Sequence, residues 1–316
     1  MLISVVFSAS KSLFKWKPDW DQASKAYEQA GNAFKNAKNW HRARDAYRKA
    51  AEAFAHADSY VHYQAVVNFT FYLEIFSLIP SIISIFMAAK CNEQAALMAM
   101  SAQDPKTAAL FYRDAAKYYM EHGSGSKSAE VSVKCAKVTE EFDPVKALQM
   151  FDNAVDTLEL EDKEIYSADA FRECIAAHMR QDQWAEALAM AERQAAVFAR
   201  LDQPHNVCKA NLAQLILCLR MGDSVEADKR FNGMLEDDAF LRSEECKMAE
   251  GLLRSYTQGL ADEWKRLVNH QVVSFLDPSI VRMVRQMNVE NGIANGLSAE
   301  DTNLAGGVDA DDALLL

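Results

Sequence analysis

Glycine and proline are scarce in this chain, with 11 Gly and 6 Pro among 316 residues. An all-β sandwich or barrel needs many tight turns, and tight turns rely on these two residue types. No long segment alternates polar and apolar residues with a period of two, as half-buried strands do. The composition therefore favours an all-α fold.

Motifs of catalysis and metal binding are also missing. The six cysteines never have the C-x-x-C spacing of a zinc or redox site, and we interpret them as buried, reduced thiols of a cytosolic protein. No histidine pair has H-E-x-x-H spacing, and no serine occupies a G-x-S-x-G elbow. GSGSKS at 123–128 lacks the spacing of a phosphate-binding loop and is interpreted as a turn between helices. We therefore expect no enzyme, no metal and no cofactor.

Charge is unevenly distributed along the chain. No Lys or Arg follows Arg285, whereas six acidic residues do, and residues 1–49 carry ten Lys or Arg against four acids. A basic end and an acidic end suit a protein that contacts two partners of opposite charge. A solvated helix face with a solubilising tail is the alternative interpretation. The net charge of −11 argues against nucleic-acid binding.

A nine-residue pattern occurs twice near the N-terminus. AYEQAGNAF at 26–34 returns as AYRKAAEAF at 46–54. Its spacing places small and aromatic residues on one stripe of a helix, where alanine permits close approach and an aromatic ring fills the remaining space. One copy per helix, with a short turn at 38–40, predicts antiparallel hairpins. Because helical periodicity continues to about residue 289, we predict an all-α, tetratricopeptide-like right-handed solenoid of antiparallel helix hairpins over 19–289, with a C-terminal helical cap.

Residues 290–316 lack aromatic side chains and are rich in Asn, Gly, Ala and Asp. This composition predicts a flexible acidic tail. The tail ends in three leucines, 314–316, which have no core of their own to enter. We interpret them as a sign that the tail docks onto a partner.

Three short motifs resemble one protein family. They are FKWKPDWD at 14–21, FKNAK at 34–38 and SEECK at 243–247. They resemble segments of soluble NSF attachment proteins (SNAPs), within them the gamma type, and the resemblance covers about residues 11–285. It implies an adaptor without catalytic activity that binds the SNARE bundle left after membrane fusion. Such an adaptor recruits and stimulates N-ethylmaleimide-sensitive factor (NSF), the ATPase that pulls the bundle apart. A cytoplasmic, peripherally membrane-associated protein of vesicle-mediated transport is therefore expected.

The resemblance also implies a surface for the SNARE bundle. SNARE bundles are acidic rods, so a basic edge of the solenoid would lie along one, and long-range attraction would speed the encounter. The candidate SNARE-binding residues are Lys35, Lys38, Arg42 and Arg48.

Two further contact regions are implied near the chain ends. In the N-terminal segment, 1–18, the candidate lipid-contacting residues are Leu13, Phe14 and Trp16. Alternatively, these aromatics staple the first helix onto the second, a structural role that we favour for Trp20. The candidate ATPase contacts in the tail are Asp311, Asp312, Leu315 and Leu316. The ending DADDALLL has more leucines than the family pattern, so which leucine acts stays open.

One segment, 66–88, does not fit a solenoid of amphipathic helices. Its run from 66 to 87 is almost wholly apolar, with Glu74 as its one charge and Pro80 within it. Deleting 66–88 joins SYVHYQA to AKCNEQAALMAM in one amphipathic pattern and restores the family's A-A-K-x-x-E-Q-A motif. We predict that the segment is foreign to the fold, either a lineage-specific insertion or retained non-coding sequence. A genuine extra helix covering the solenoid and a membrane segment are the alternatives.

A second function from another class is a generic helical-repeat scaffold that binds peptides in its concave groove. The tail discriminates between the two hypotheses, because a scaffold has no need for Asp311, Asp312 and a terminal leucine.

Overall fold

The computed structural model describes residues 19–67, 71–160, 167–287 and 289, with side chains throughout except at 58–82. Fifteen α-helices and no β-strand lie within these residues, which confirms the all-α prediction. The helices are α1 (Trp20–Asn36), α2 (Trp40–Val67), α3 (Phe71–Ser101), α4 (Pro105–Glu121), α5 (Gly125–Thr139), α6 (Pro144–Leu160), α7 (Ala168–Arg180), α8 (Trp184–Arg200), α9 (Pro204–Arg220), α10 (Ser224–Met234), α11 (Asp238–Leu241), α12 (Glu244–Thr257), α13 (Ala261–Val268), α14 (Gln271–Ser274) and α15 (Pro278–Gln286). The chain divides within α7 into two compact units, unit 1 ending at Ala177 and unit 2 beginning at His178.

One type of turn recurs between successive helices. A residue with positive φ follows the helix, and the N–H of the next residue donates to a carbonyl oxygen five positions earlier, at 2.8 to 3.1 Å. The positive-φ residues are Lys38, Gln103, Gly123, Asp182, Asp202, Gly222 and Gly259. Several of these positions lie twenty residues apart, at 103 and 123 and again at 182, 202 and 222. The turns therefore continue the twenty-residue spacing of the repeated sequence, as a helical-hairpin repeat requires.

Aspartate and serine side chains cap the first turns of helices and fix where those helices begin. The carboxylate of Asp143 accepts a hydrogen bond from the N–H of Lys146 at 3.1 Å, and α6 begins at Pro144, a position that suits proline because it needs no N–H donor. In the SEECK motif, the Ser243 hydroxyl accepts from the N–H of Cys246 at 3.1 Å. This bond begins α12, whose Cys246 is buried.

The core of unit 1 is built from alanines and aromatic rings, as the repeat predicts. Ala43, Tyr47, Ala95 and Met98 form one buried cluster between α2 and α3. The ring of Tyr47 also covers Gly31 of α1, and its hydroxyl donates to Asn32 Oδ1 at 2.8 Å. Small side chains thus let neighbouring helices approach until a single ring fills the gap.

Unit 2 is organised around α9. Its side chains from Leu212 to Leu219 are all buried, and the helix contacts α8, α10, α11, α12 and α15. A helix segment that is apolar all round must lie at the centre of its unit, and these five helices pack against it. The Nε2 of Gln214 reaches the carbonyl oxygen of Ala191 in α8 at 3.3 Å, which satisfies the polar group inside this core.

Segment 66–88 occupies the end of α2 and the first half of α3. These helices have 28 and 31 residues, against 17 each for α1 and α4. At its C-terminal end the segment packs: the Ser84 hydroxyl donates to the carbonyl oxygen of Phe54, and Ala88 is fully buried. The Phe86 ring meets Tyr119 edge-on with centroids 5.5 Å apart. Residues 84–88 therefore contribute to the core of this chain, while the side chains of 66–82 lie outside the described residues.

Candidate functional site

Alternate helices of unit 1 lie side by side on a common surface, which we name the odd-helix face. It is defined by three polar contacts that join α1 to α3, α3 to α5 and α5 to α7. The contacts are Lys35 Nζ with Gln94 Oε1 at 3.3 Å, Lys134 Nζ with Glu93 Oε1 at 2.7 Å, and Lys137 Nζ with Glu173 Oε1 at 2.8 Å. Such a face is the natural contact surface of a helical-repeat protein, because it presents side chains from every repeat.

Lys134 is the centre of a charged network on this face. Its ammonium contacts Glu93 and also Glu130, at 2.9 Å, and the Tyr119 hydroxyl donates to Glu93 Oε2 at 3.3 Å. Partial burial alone would raise the pKa of Glu130, but hydrogen bonds from Lys134 and Lys127 outweigh burial and hold that pKa below its ordinary value. Burial alone would lower the pKa of Lys134, but its hydrogen bonds to Glu93 and Glu130 outweigh burial and raise that pKa. Both groups are therefore charged at neutral pH.

A cavity of about 540 Å³ opens on the odd-helix face between α5 and α7. Four cations line it, and each lies within 4 Å of an acid. The pairs are Lys127 with Glu130, Lys134 with Glu130, Lys137 with Glu173 and Arg172 with Asp169. A charged partner entering here must exchange these ion pairs for its own, so this part of the face is electrically balanced rather than basic.

Unpaired positive charge lies instead around the first hairpin. Within the described ranges, Lys35, Lys38, Arg42, Lys49 and Lys90 are exposed and have no acid within 4 Å. Lys35 contacts the neutral amide of Gln94, and two of the other cations lie against aromatic rings. The Arg42 guanidinium lies 5.9 Å from the centroid of the Phe34 ring, and the Lys49 ammonium 5.7 Å from that of Tyr27. These cations are available to an acidic partner at no cost in broken ion pairs.

The four residues predicted to bind SNAREs do not all belong to this cluster. Lys35 lies in the last turn of α1, Lys38 lies in the α1–α2 turn and Arg42 lies in the first turn of α2, so these three come together at one end of the hairpin. Arg48 is farther along α2 and forms an ion pair with Glu52. Sequence reasoning missed Lys90, Lys134 and Lys137, although the i, i+3 spacing of the last two on α5 was a signal that they share a face.

The other predicted site residues lie mostly beyond the described structure. Leu13, Phe14 and Trp16, and likewise Asp311, Asp312, Leu315 and Leu316, are outside the described residues. Trp20 is described: it begins α1, is half-buried, and its ring lies 4.8 Å from that of His56 in α2. This contact joins the first two helices, which is the structural role favoured for Trp20.

Comparison with known proteins identifies the family. A sequence model of the family "Soluble NSF attachment protein, SNAP" matches residues 84–288, more than half of the chain. The chain belongs to the SNAP family. It is 26% identical to gamma-soluble NSF attachment protein of Dictyostelium discoideum over 90% of this chain and 80% of that protein. It is 28% identical to the Arabidopsis thaliana gamma-soluble NSF attachment protein over 92% of this chain and 91% of its relative.

The family match begins at residue 84 of this SNAP-family chain, near the C-terminal end of segment 66–88, and Ser84 is buried. Among the residues with described side chains, which do not include 58–82, no helix is both long enough and apolar enough to cross a membrane.

Proposed function

We propose that this SNAP-family chain is a gamma-type adaptor of SNARE recycling. It binds post-fusion SNARE bundles, recruits the NSF ATPase and stimulates disassembly, with no catalytic step of its own. The observation that carries this proposal is the family membership of a chain that resembles gamma-type relatives along nine-tenths of its length. The alternative, a generic helical-repeat scaffold, would neither recruit nor stimulate the ATPase, so the ATPase assays described below separate the two hypotheses.

Lys35, Lys38 and Arg42 make the first contact with the acidic SNARE bundle. They are exposed, close together at the α1–α2 turn, and free of competing acids in the described part of the chain. Attraction between this cluster and an acidic rod acts over roughly a Debye length, about 8 Å at physiological salt. The cluster therefore raises the rate of encounter, and its effect weakens as salt is added. Arg48 adds less, because binding through it requires release of Glu52.

The acidic tail makes the ATPase contact. Asp311 and Asp312 meet a basic domain of the ATPase, and the terminal leucines supply an apolar anchor. We expect removal of 314–316 to abolish ATPase stimulation while SNARE binding stays unchanged, because the two contacts lie in different parts of the chain. The measurement is ATP hydrolysis with assembled SNARE bundle, beside a pull-down of the bundle alone. Unchanged stimulation would refute the assignment of the tail.

Peripheral membrane association rests on Leu13, Phe14 and Trp16. Aromatic rings beside lysines suit the interface of a bilayer, where the rings enter and the charges stay in water. We expect Phe14→Ser with Trp16→Ser to weaken disassembly on liposomes more than disassembly in solution. Trp20→Ser is the matched control: since Trp20 packs on His56, its loss should affect both assays equally. Equal loss in both assays for the Phe14/Trp16 pair would favour a structural role there as well.

Segment 66–88 is dispensable in this proposal, although 84–88 pack into the core. Counting back from Ala89, deletion of 66–88 moves Tyr63 into the place of Phe86 and Ala65 into the place of Ala88. An aromatic ring again meets Tyr119, and an alanine again fills the fully buried position. The shortened chain therefore keeps the core of the α2–α3 hairpin with two shorter helices.

A further inference from the structure

Two stripes of side chains face each other across a groove between α4 and α6. On α4, Lys106, Leu110 and Arg113 follow at i, i+4 and i+7; opposite them lie Phe142, Lys146 and Met150, at i, i+4 and i+8. The groove encloses about 240 Å³, and Ala109, Cys135 and Thr139 complete its lining. Cations and apolar groups thus alternate on both walls.

No acid lines this groove. Lys106 and Lys146 have no carboxylate within 4 Å in the described ranges, and Arg113 contacts only its neighbour Asp114 on the exposed surface, at 3.1 Å. Burial raises the pKa of the Cys135 thiol at the groove floor, while Arg113 and Lys146 act in the opposite direction. Both cations therefore project their field into the groove. Two of the three groove cations, Lys106 and Lys146, thus have no acidic partner in the described ranges, whereas each of the four cations in the cavity on the odd-helix face is paired.

Apolar groups of the groove also lack a cover. Leu110 is 50% exposed and Phe142 is 41% exposed. Exposed large apolar side chains that cluster beside unpaired cations are unusual on a monomer surface without a partner. A segment that combines acids with aliphatic side chains would satisfy both features at once.

We infer that this groove binds the acidic C-terminal segment of the chain, residues 303–316. That segment, NLAGGVDADDALLL, carries three carboxylates at 309, 311 and 312, has no basic residue, and ends in three leucines and the terminal carboxylate. Its carboxylates pair with Lys106, Arg113 and Lys146, and its leucines cover Leu110 and Phe142. The charges of the two partners are opposite in sign, and each partner carries apolar side chains beside its charges.

A tail held in the groove cannot engage the ATPase at the same time. The groove would then act as an internal competitor that lowers ATPase recruitment until a SNARE bundle brings the tail to its target. This consequence rests on the proposed function, whereas binding of the tail to the groove does not. The two ideas can therefore fail separately.

The test is titration of a fluorescent peptide of residues 303–316 into the full chain. The chain carries a silenced tail, that is, a tail altered so that it cannot occupy the groove itself. The changes are Asp309→Asn, Asp311→Asn, Asp312→Asn, Leu314→Ser, Leu315→Ser and Leu316→Ser. We compare it with the same chain after Lys106→Gln, Arg113→Gln and Lys146→Gln, and with a matched control, Lys117→Gln, Lys229→Gln and Lys265→Gln. The control removes the same charge from exposed lysines elsewhere.

Saturable binding should weaken about tenfold in the groove variant, since three exposed charge contacts together are worth roughly 1.4 kcal/mol, and should stay unchanged in the control. Leu110→Ser should also weaken it, and a scrambled peptide should not bind. Equal affinity for the groove variant and the control, or no binding to the silenced chain, would overturn the inference. As a separate measurement, the groove variant with a native tail should stimulate the ATPase at lower concentration; failure of that alone would reject the competitor role and leave the groove assignment standing.

Discussion

Gly31→Ala tests the packing of the first hairpin at a single atom. A Cβ at this position would lie 2.8 Å from both Cδ1 and Cε1 of Tyr47 and 3.0 Å from Cζ. Carbon atoms pack best at about 3.5 to 4.0 Å, so the ring must move by several tenths of an ångström. It cannot move freely, because Tyr47 is 2% exposed and its hydroxyl is bonded to Asn32.

The expected result is a loss of about 2 kcal/mol in the free energy of unfolding of unit 1. Overpacking costs about 1–3 kcal/mol and a weakened hydrogen bond about 1 kcal/mol, while alanine gains about 1 kcal/mol of helix propensity over glycine. The measurement is urea denaturation followed by far-UV circular dichroism. In a Tyr47→Leu background the clash is removed, so Gly31→Ala should become neutral or stabilising.

Gly233→Ala is the control for helix propensity. An added Cβ there meets nothing within 4 Å, so the substitution should stabilise α10 by up to about 1 kcal/mol. If Gly31→Ala stabilised the protein as Gly233→Ala does, or had the same effect with and without the Tyr47 ring, the description of the α1–α2 packing would be wrong.

Two further predictions concern turns and charges. Gln103 has φ of 60° in the α3–α4 turn, so Gln103→Gly should raise the free energy of unfolding by about 1 kcal/mol. Gly123→Ala, at φ of 76°, should lower it by about 1–2 kcal/mol. In denaturant titrations, a change of the reverse sign for either variant would contradict the turn geometry. Lys134→Gln should cost about 1 kcal/mol at pH 7, since Lys134 is more than a third exposed and solvent screens its contacts with Glu93 and Glu130. Because the folded-state pKa of Glu130 is lowered, that stability is present above its ordinary value of 4.5 and is lost as pH falls through the folded value. The gap between the stability curves of variant and parent should therefore narrow as pH falls through the lowered pKa of Glu130, and a gap that stays constant there would refute the pairing.

Local features of the fold were predictable because they depend on short sequence distances. The AYxxAxxAF repeat indicated hairpins packed through alanine and one ring, and the structure has Tyr47 on Gly31. GSGSKS at 123–128 indicated a turn between helices, and Gly123 has positive φ just after α4. Each of these features is decided by a helical period or a single capping residue.

The charge pattern of the candidate site was less predictable, because ion pairs join distant residues. Arg44 in α2 contacts Asp104, just before α4, at 3.6 Å. Lys134 in α5 contacts Glu93 in α3. A count of basic residues in the first 49 positions cannot show that Arg44 and Arg48 are paired while Arg42 is not. Sequence therefore located the basic hairpin, and tertiary contacts decide which of its cations a partner can use.

Bridging of the SNARE bundle and the ATPase tests the central claim most directly. SNARE bundles anchored on liposomes would be sedimented with the ATPase and either the full chain or the chain lacking 66–88. We expect the shortened chain to carry the ATPase into the pellet. A variant with Lys35→Gln, Lys38→Gln and Arg42→Gln should carry less ATPase into the pellet, and the difference between the two amounts should shrink at high salt. ATPase that stays in the supernatant with both forms of the chain would contradict the adaptor function.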